Sequence, residues 1–201
     1  MIMALLKEST REYHDRLESN PFSNRILQEE ITIEEYRKVL ERFYGFYHPV
    51  EASLIQALDG SFQEIDFHTR RKVPLLEKDL IALGHRQESI RRLTRCSDTP
   101  ELTNQHYAFG ILYVLEGATL GGQIISRHLS KKLALTPETG SAFFSSYQNQ
   151  VGARWQSFKN MLNSFPIDAE QERRVLAGAI ATFTALDSWF LAALSEPAQQ
   201  P

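Results

Sequence analysis

One cysteine, Cys96, is all that the 201 residues contain. A disulfide framework and a cysteine-rich zinc site are therefore excluded, and a reducing compartment, the cytoplasm, is the expected setting. Positive charge is not in excess: 22 Lys and Arg stand against 25 Asp and Glu, a formal net charge of −3. No global basic field invites nucleic acid. The six histidines show no HxxxH, HxxH or HExxH spacing, and no ExxH pair marks a di-iron bundle, so a ready-made site for a bare transition metal is missing. Strand signals, internal repeats, low-complexity tracts and an interdomain linker are missing as well. The opening MIMALLKESTREYH has too short an apolar stretch and too many charges for a signal peptide. One segment, YAFGILYVLEGATLGGQII, raises the question of a membrane span. It is solitary, holds Glu116 near its centre and lacks the usual basic flanks, so the expectation is a buried core helix and no membrane.

What is present is helical periodicity along nearly the whole chain. The spacing predicts a first helix from Ile2 or Met3 to about Glu18, ended by Asn20-Pro21, then a short turn over Ser23 to Leu27. A second helix starts near Thr32, kinks at Pro49 and stops at Asp59-Gly60. Further helices are expected over about Arg70 to Leu83, closed by Gly84; Gln87 to Leu93; Thr99-Pro100-Glu101 to about Leu133; Gln150 to Ser164; and Asp168 to Leu194. Pro137 to Tyr147 reads as short helix or turn. The sum is one all-α domain of seven or eight helices over residues 1–195, with a frayed tail at 196–201.

Two helices offer surfaces with chemistry. In LKESTREYHDRLE, Leu6, Thr10, Tyr13, His14 and Leu17 share one face by helical spacing. A histidine on such a face is ordinarily a hydrogen-bonded core residue. Glu18, one turn on, is within reach of the imidazole, and a carboxylate on one ring nitrogen is the arrangement that orients a metal-ligating histidine. Lys7, two turns back, returns to nearly the same edge; its ordinary role is a solvated lysine. A lone histidine suits haem, where the porphyrin supplies four nitrogens. The second surface is LEGATLGGQ. Gly110, Gly117 and Gly121 share a face, with Ala118 and Gly122 beside it. Each glycine costs a helix interior about 1 kcal/mol relative to Ala. Such a strip serves either close helix packing or a flat ligand lying against bare backbone. Spacing leaves both readings open, and nothing local says that the two surfaces meet.

LKESTREYH with Glu18 behind it, followed about a hundred residues later by LEGATLGGQ, resembles the biliverdin-producing haem oxygenases over about residues 4 to 194. The LEGATLGG wording is most similar to bacterial members, including those that serve bacteriophytochromes. The resemblance implies an all-α, single-domain, multi-helix fold with haem sandwiched between a proximal and a kinked distal helix. It implies His14 as the proximal iron ligand, Glu18 as its partner and Lys7 as a contact to a haem propionate. Gly117, Gly121 and Gly122 would form the distal kink. Lys159 in FKNMLNSF would be a second propionate contact, with Arg154 a rival, and Phe183 would line the pocket. Haem b would be both cofactor and substrate, with O2 as co-substrate. Electrons would come from a ferredoxin or a flavoprotein reductase, docking on charges such as Arg70, Arg71, Lys72, Arg91, Arg92, Arg95, Lys131 and Lys132. A bilin-binding phytochrome is a downstream partner. Many members carry aspartate directly after the first distal glycine; this chain has Ala118, with Glu116, Thr119 or Gln123 as substitutes. The rival expectations are a haem-buffering protein of the same fold, a cofactor-free helical interaction protein, and a helical enzyme acting on a small aromatic substrate.

Overall fold

Two long helices organise the computed structural model, which describes residues 1–58 and 66–195. They are α7 (Gln105–Leu133) and α9 (Ala169–Ser195). Around them stand α1 (Ile2–Ser9), α2 (Arg11–Glu18), the single turn α3 (Pro21–Asn24), α4 (Ile33–Leu58), α5 (Val73–Ala82), α6 (Gln87–Arg92) and α8 (Val151–Ser164). No strand occurs among the described residues, so the fold is all-α.

α7 and α9 meet backbone to backbone. A Cβ on Gly110 would overlap the carbonyl oxygen of Val175, and one on Gly178 would overlap that of Tyr107. Only glycine permits this approach. Beyond the crossing the helices part. Gly122 of α7 rests on the Phe144 carbonyl, 2.8 Å from where a Cβ would stand. The Phe144 ring packs on Phe43 of α4 at 5.5 Å between centroids, and Phe43 packs on Phe190 of α9 at 5.0 Å. Two aromatic layers thus separate near Gly122 what touches at Gly110. The buried side of α4 supplies much of this core, including Tyr36, Leu40, Phe46 and Tyr47. Arg42 pins it to α9: its Nε donates to the Trp189 carbonyl at 2.9 Å, its guanidinium lies 3.4 Å over the Trp189 ring, and the indole N–H donates back to the Arg42 carbonyl.

Most helix limits follow the sequence reading. Thr32 and Glu35 cap α4 reciprocally, Asp168 and Gln171 do the same for α9, Pro49 lies inside α4, and Gly84 closes the helix before it at φ 98°. Three expectations change. The first helix is broken at Thr10 (φ −100°, ψ 1°), whose hydroxyl bonds back to the Leu6 carbonyl at 2.7 Å. α5 starts at Val73, because Phe67–Arg70 forms its own 3-10 turn and Arg71 is extended. α7 starts at Gln105, not near Thr99, because the extended Asn104 accepts the Tyr107 N–H and caps it there. The Asp59-Gly60 stop and the 196–201 tail lie outside the described residues.

By length and composition both α7 and α9 could cross a membrane, yet 56% and 44% of their most apolar windows are buried inside the fold. They pack on each other as core helices. The segment between α7 and α8 is held by two buried side chains. Tyr36 donates to the Gly140 carbonyl at 2.8 Å, and Asp79 accepts the N–H groups of Ala142 and Phe143 at 2.7 and 2.8 Å. Burial pushes the Asp79 carboxyl up to about 6, against the pull of those two donors.

Candidate functional site

The first surface is built by α2 against α9. Arg16 Nε lies 2.6 Å from Asp187 Oδ2, and Asn20 Nδ2 donates to Asp187 Oδ1 at 2.7 Å, so one buried carboxylate of α9 clamps both ends of the α2 terminus. With the helix so oriented, Leu6 and Thr10 turn inward, while His14 stays 53% exposed. The core-histidine reading does not hold. The ring meets Phe183 of α9 edge-on, at 6.1 Å and 74°. Its Nδ1 faces Glu18 Oε2 and Asp15 Oδ1, each at 3.6 Å. Both carboxylates lie on the Nδ1 side of the ring, and Nε2 points away from them.

Two lysines stand level on α1 and α8. The Met3 N–H reaches Asn163 Oδ1 at 3.4 Å, joining the start of α1 to the end of α8. At the other end Thr10 lies beside Tyr113 of α7, whose ring lies 5.8 Å from Trp155 of α8. α1 and α8 therefore run antiparallel. Lys7 lies one turn above Met3 and Lys159 one turn before Asn163, so both come to the same height of the pair. Neither makes an ion pair among the described residues. Arg154, the rival, is engaged: it donates to Thr69 Oγ1 and lies 4.9 Å over the Tyr147 ring.

The glycine strip of α7 divides in function. Gly110 and Gly122 are packing glycines, one against α9 and one against Phe144. Gly117 and Gly121 are not. A Cβ on Gly121 would meet nothing within 4 Å, and one on Gly117 would meet only Trp155, at 3.8 Å. Gly110 marks the face that looks toward α9; two and three helical turns later, at Gly117 and Gly121, that same face is open. Leu120 and Ile124 flank the opening at 41% and 60% exposure. Bare backbone framed by unpartnered aliphatic side chains is a wall for a flat apolar ligand. The wall and the histidine share an origin, since His14 lies one turn beyond Thr10 and Gly117 one turn beyond Tyr113, two residues that neighbour each other.

Three expectations are redirected. Glu116 does not face the opening. It is buried on the other side of α7, accepting from Arg70, from Lys72 Nζ at 3.2 Å and from the Tyr147 hydroxyl at 2.8 Å. Arg70 and Lys72 are consequently buried and leave the set of docking charges. Thr119 spends its hydroxyl on the Glu116 carbonyl, while the Gln123 amide nitrogen is buried without a hydrogen bond. The Glu116 cluster escaped sequence reasoning, although a signal existed: a lone carboxylate in an apolar run must be paired once it is buried.

A family profile described as "Heme oxygenase" matches residues 2–192. A heme oxygenase of Xanthomonas campestris pv. campestris is 28% identical over 163 residues, covering 78% of this chain and 88% of that protein. Among solved structures, NO- and CO-bound heme oxygenase from Neisseria meningitidis superposes with a TM-score of 0.76 at 21% identity, over 100% of this chain and 95% of the other. Heme oxygenase-1 from the cyanobacterium Synechocystis, in complex with heme, gives a TM-score of 0.73 at 19% identity, over 96% and 92%.

Proposed function

The chain belongs to the haem oxygenase family, and on that premise we propose that it holds haem between α2 and α7 and opens it to biliverdin, carbon monoxide and ferrous iron. The open glycine face carries this reading: Gly121 would present nothing but backbone to a macrocycle, with Leu120 and Ile124 on its flanks. The side chains present fit the group. His14 offers a free Nε2 to iron, its other nitrogen steadied by Glu18 and Asp15. Phe183 backs the imidazole. Lys7 and Lys159, unpaired and level, suit the two propionates.

Bound haem supplies the redox iron that activates dioxygen and is itself the ring that is cleaved. The protein's part is orientation and electrostatics. His14 would hold the iron through Nε2. Gly117 and Gly121 would let the ligand lie close to the α7 backbone, whose N–H and C=O dipoles and lack of side chains there would orient the reacting groups. Ala118 brings no carboxylate to that stretch of α7, so protons would have to come from solvent, with backbone groups serving only as hydrogen-bond partners. Electrons come from an external ferredoxin or flavoprotein in the cytoplasm. The similarity of LEGATLGG to phytochrome-linked members supports a bilin-binding phytochrome as recipient of the product.

Hemin titration tests the proposal. The apoprotein should give a stoichiometric Soret band that is lost, with biliverdin formed, when a reductant is added in air. His14→Ala should alter the iron spectrum while leaving the fold intact, because the ring is half exposed. A Soret band that persists under reductant would mean a haem-storing protein; no Soret band at all would sink both readings.

A further inference from the structure

Glu116 immediately precedes Gly117, and its side chain ends in the most completely bonded polar cluster of the described residues. Lys72 uses all three ammonium protons, on the Arg70 carbonyl, on Glu116 and on the Tyr147 oxygen, the last at 2.8 Å. Tyr147 passes the link on, donating to Glu116 Oε1 at 2.8 Å. Its ring is flanked by two cations, Lys72 Nζ at 4.3 Å and the Arg154 guanidinium at 4.9 Å. Burial and the Glu116 charge push the phenol well above its ordinary range, so it stays a donor at any physiological pH.

Tyr147 is also strained. It and Gln148 have left-handed backbone, φ 64° and 47°, a conformation that bulky residues avoid. The strain sits at the start of the 3-10 turn Gln148–Gln150 that leads into α8. The hydroxyl of Tyr147 therefore ties the head of α8 to the residue adjoining the open glycines of α7. α8 carries Lys159 and places Trp155 against Gly117.

We propose that Tyr147 and Glu116 are positioning residues, whose hydrogen bond is a strut fixing the spacing between the glycine wall on α7 and the lysine-bearing helix α8. Resting on the haem reading, this decides which edge of the ring lies beneath Gly117 and Gly121, and so which biliverdin isomer is made. Lys159 sets where the carboxylate end of the ligand sits, and the glycines set where oxygen is steered. The strut holds the two at one distance.

Tyr147→Phe removes the hydroxyl and keeps the ring between its cations. In fluorotryptophan-labelled apoprotein, the Trp155 fluorine resonance, assigned with Trp189→Phe, should move in Tyr147→Phe and stay put in Gly152→Ala, a substitution into open space on the same helix. With hemin, Tyr147→Phe should keep its one-to-one Soret titration while the ratio of biliverdin isomers shifts by about fivefold, the factor of one hydrogen bond. Glu116→Gln should move both readouts the same way, which guards against an effect peculiar to one variant. An unmoved Trp155 line in both variants, or an unchanged isomer ratio, overturns the strut. A parent protein that binds no hemin would overturn the functional reading itself, and with it the ligand-seating half of this inference, whatever the fluorine line does.

Discussion

Gly110 and Gly121 lie on one face of one helix and do opposite things. At Gly110 the absent side chain lets α7 and α9 touch through their backbones; at Gly121 it leaves space that nothing fills. The same residue type packs helices at one end of the strip and leaves an open face at the other, the face proposed to receive the ligand. What separates them is distance from the helix crossing, since two straight helices packed at an angle are close at only one place. The opening is the geometric consequence of the crossing, and Phe144 and Phe43 prop it apart beyond Gly122.

This contrast can be broken at either end. The largest effect is expected from Gly110→Leu. Its Cβ would drive into Val175 backbone, which cannot rotate away, so a loss above about 3 kcal/mol is expected, read as a fall in thermal midpoint of about 10 °C. Gly121→Leu should leave the fold alone, or gain up to about 1 kcal/mol of helix propensity, while hemin affinity falls by more than about a hundredfold, worth roughly 3 kcal/mol. Normal hemin uptake in that variant would remove the distinction between the two glycines.

Asp79 sharpens the contrast from behind, because it holds the segment on which Gly122 rests. Its folded value of about 6 exceeds the ordinary 3.8. A raised carboxyl favours the folded state fully below the unfolded value and loses that contribution as pH rises through the folded one. Parent stability minus that of Asp79→Asn should therefore fall by about 2 kcal/mol between pH 4 and pH 6. Denaturant titrations at the two pH values measure it, and a flat difference would refute the burial argument. The smallest effects belong to Lys7→Ala and Lys159→Ala. Each should weaken hemin binding by roughly threefold to fivefold, less at high salt, because both lysines act partly through water.

Much of the site was legible before any coordinates. His14 and Glu18 are one helical turn apart, so their pairing needed only local geometry, and it occurs at 3.6 Å. The glycine strip was equally plain as a pattern. Its division was not, because the partner of each glycine lies tens of residues away. The sequence offers Lys159 and Arg154 alike as cations near the pocket; that Arg154 is bonded to Thr69 and lies over Tyr147 depends on residues far away in the chain. Thr99-Pro100-Glu101 has the form of a helix opening, yet α7 starts later because the extended Asn104 supplies the cap that operates.

By itself the sequence determined what depends on neighbours along the chain: helical periodicity, caps and stops, the imidazole beside its carboxylate, and a stretch of helix without side chains. Periodicity within one helix reports which residues share a face, and nothing about what that face meets. Only the tertiary structure decided that α7 crosses α9 at Gly110 and leaves Gly121 open, that Lys7 and Lys159 stand level, and that Glu116 turns away into a buried cluster with Arg70, Lys72 and Tyr147. Each of these follows from where two distant helices come closest, a relation set by packing of the whole core.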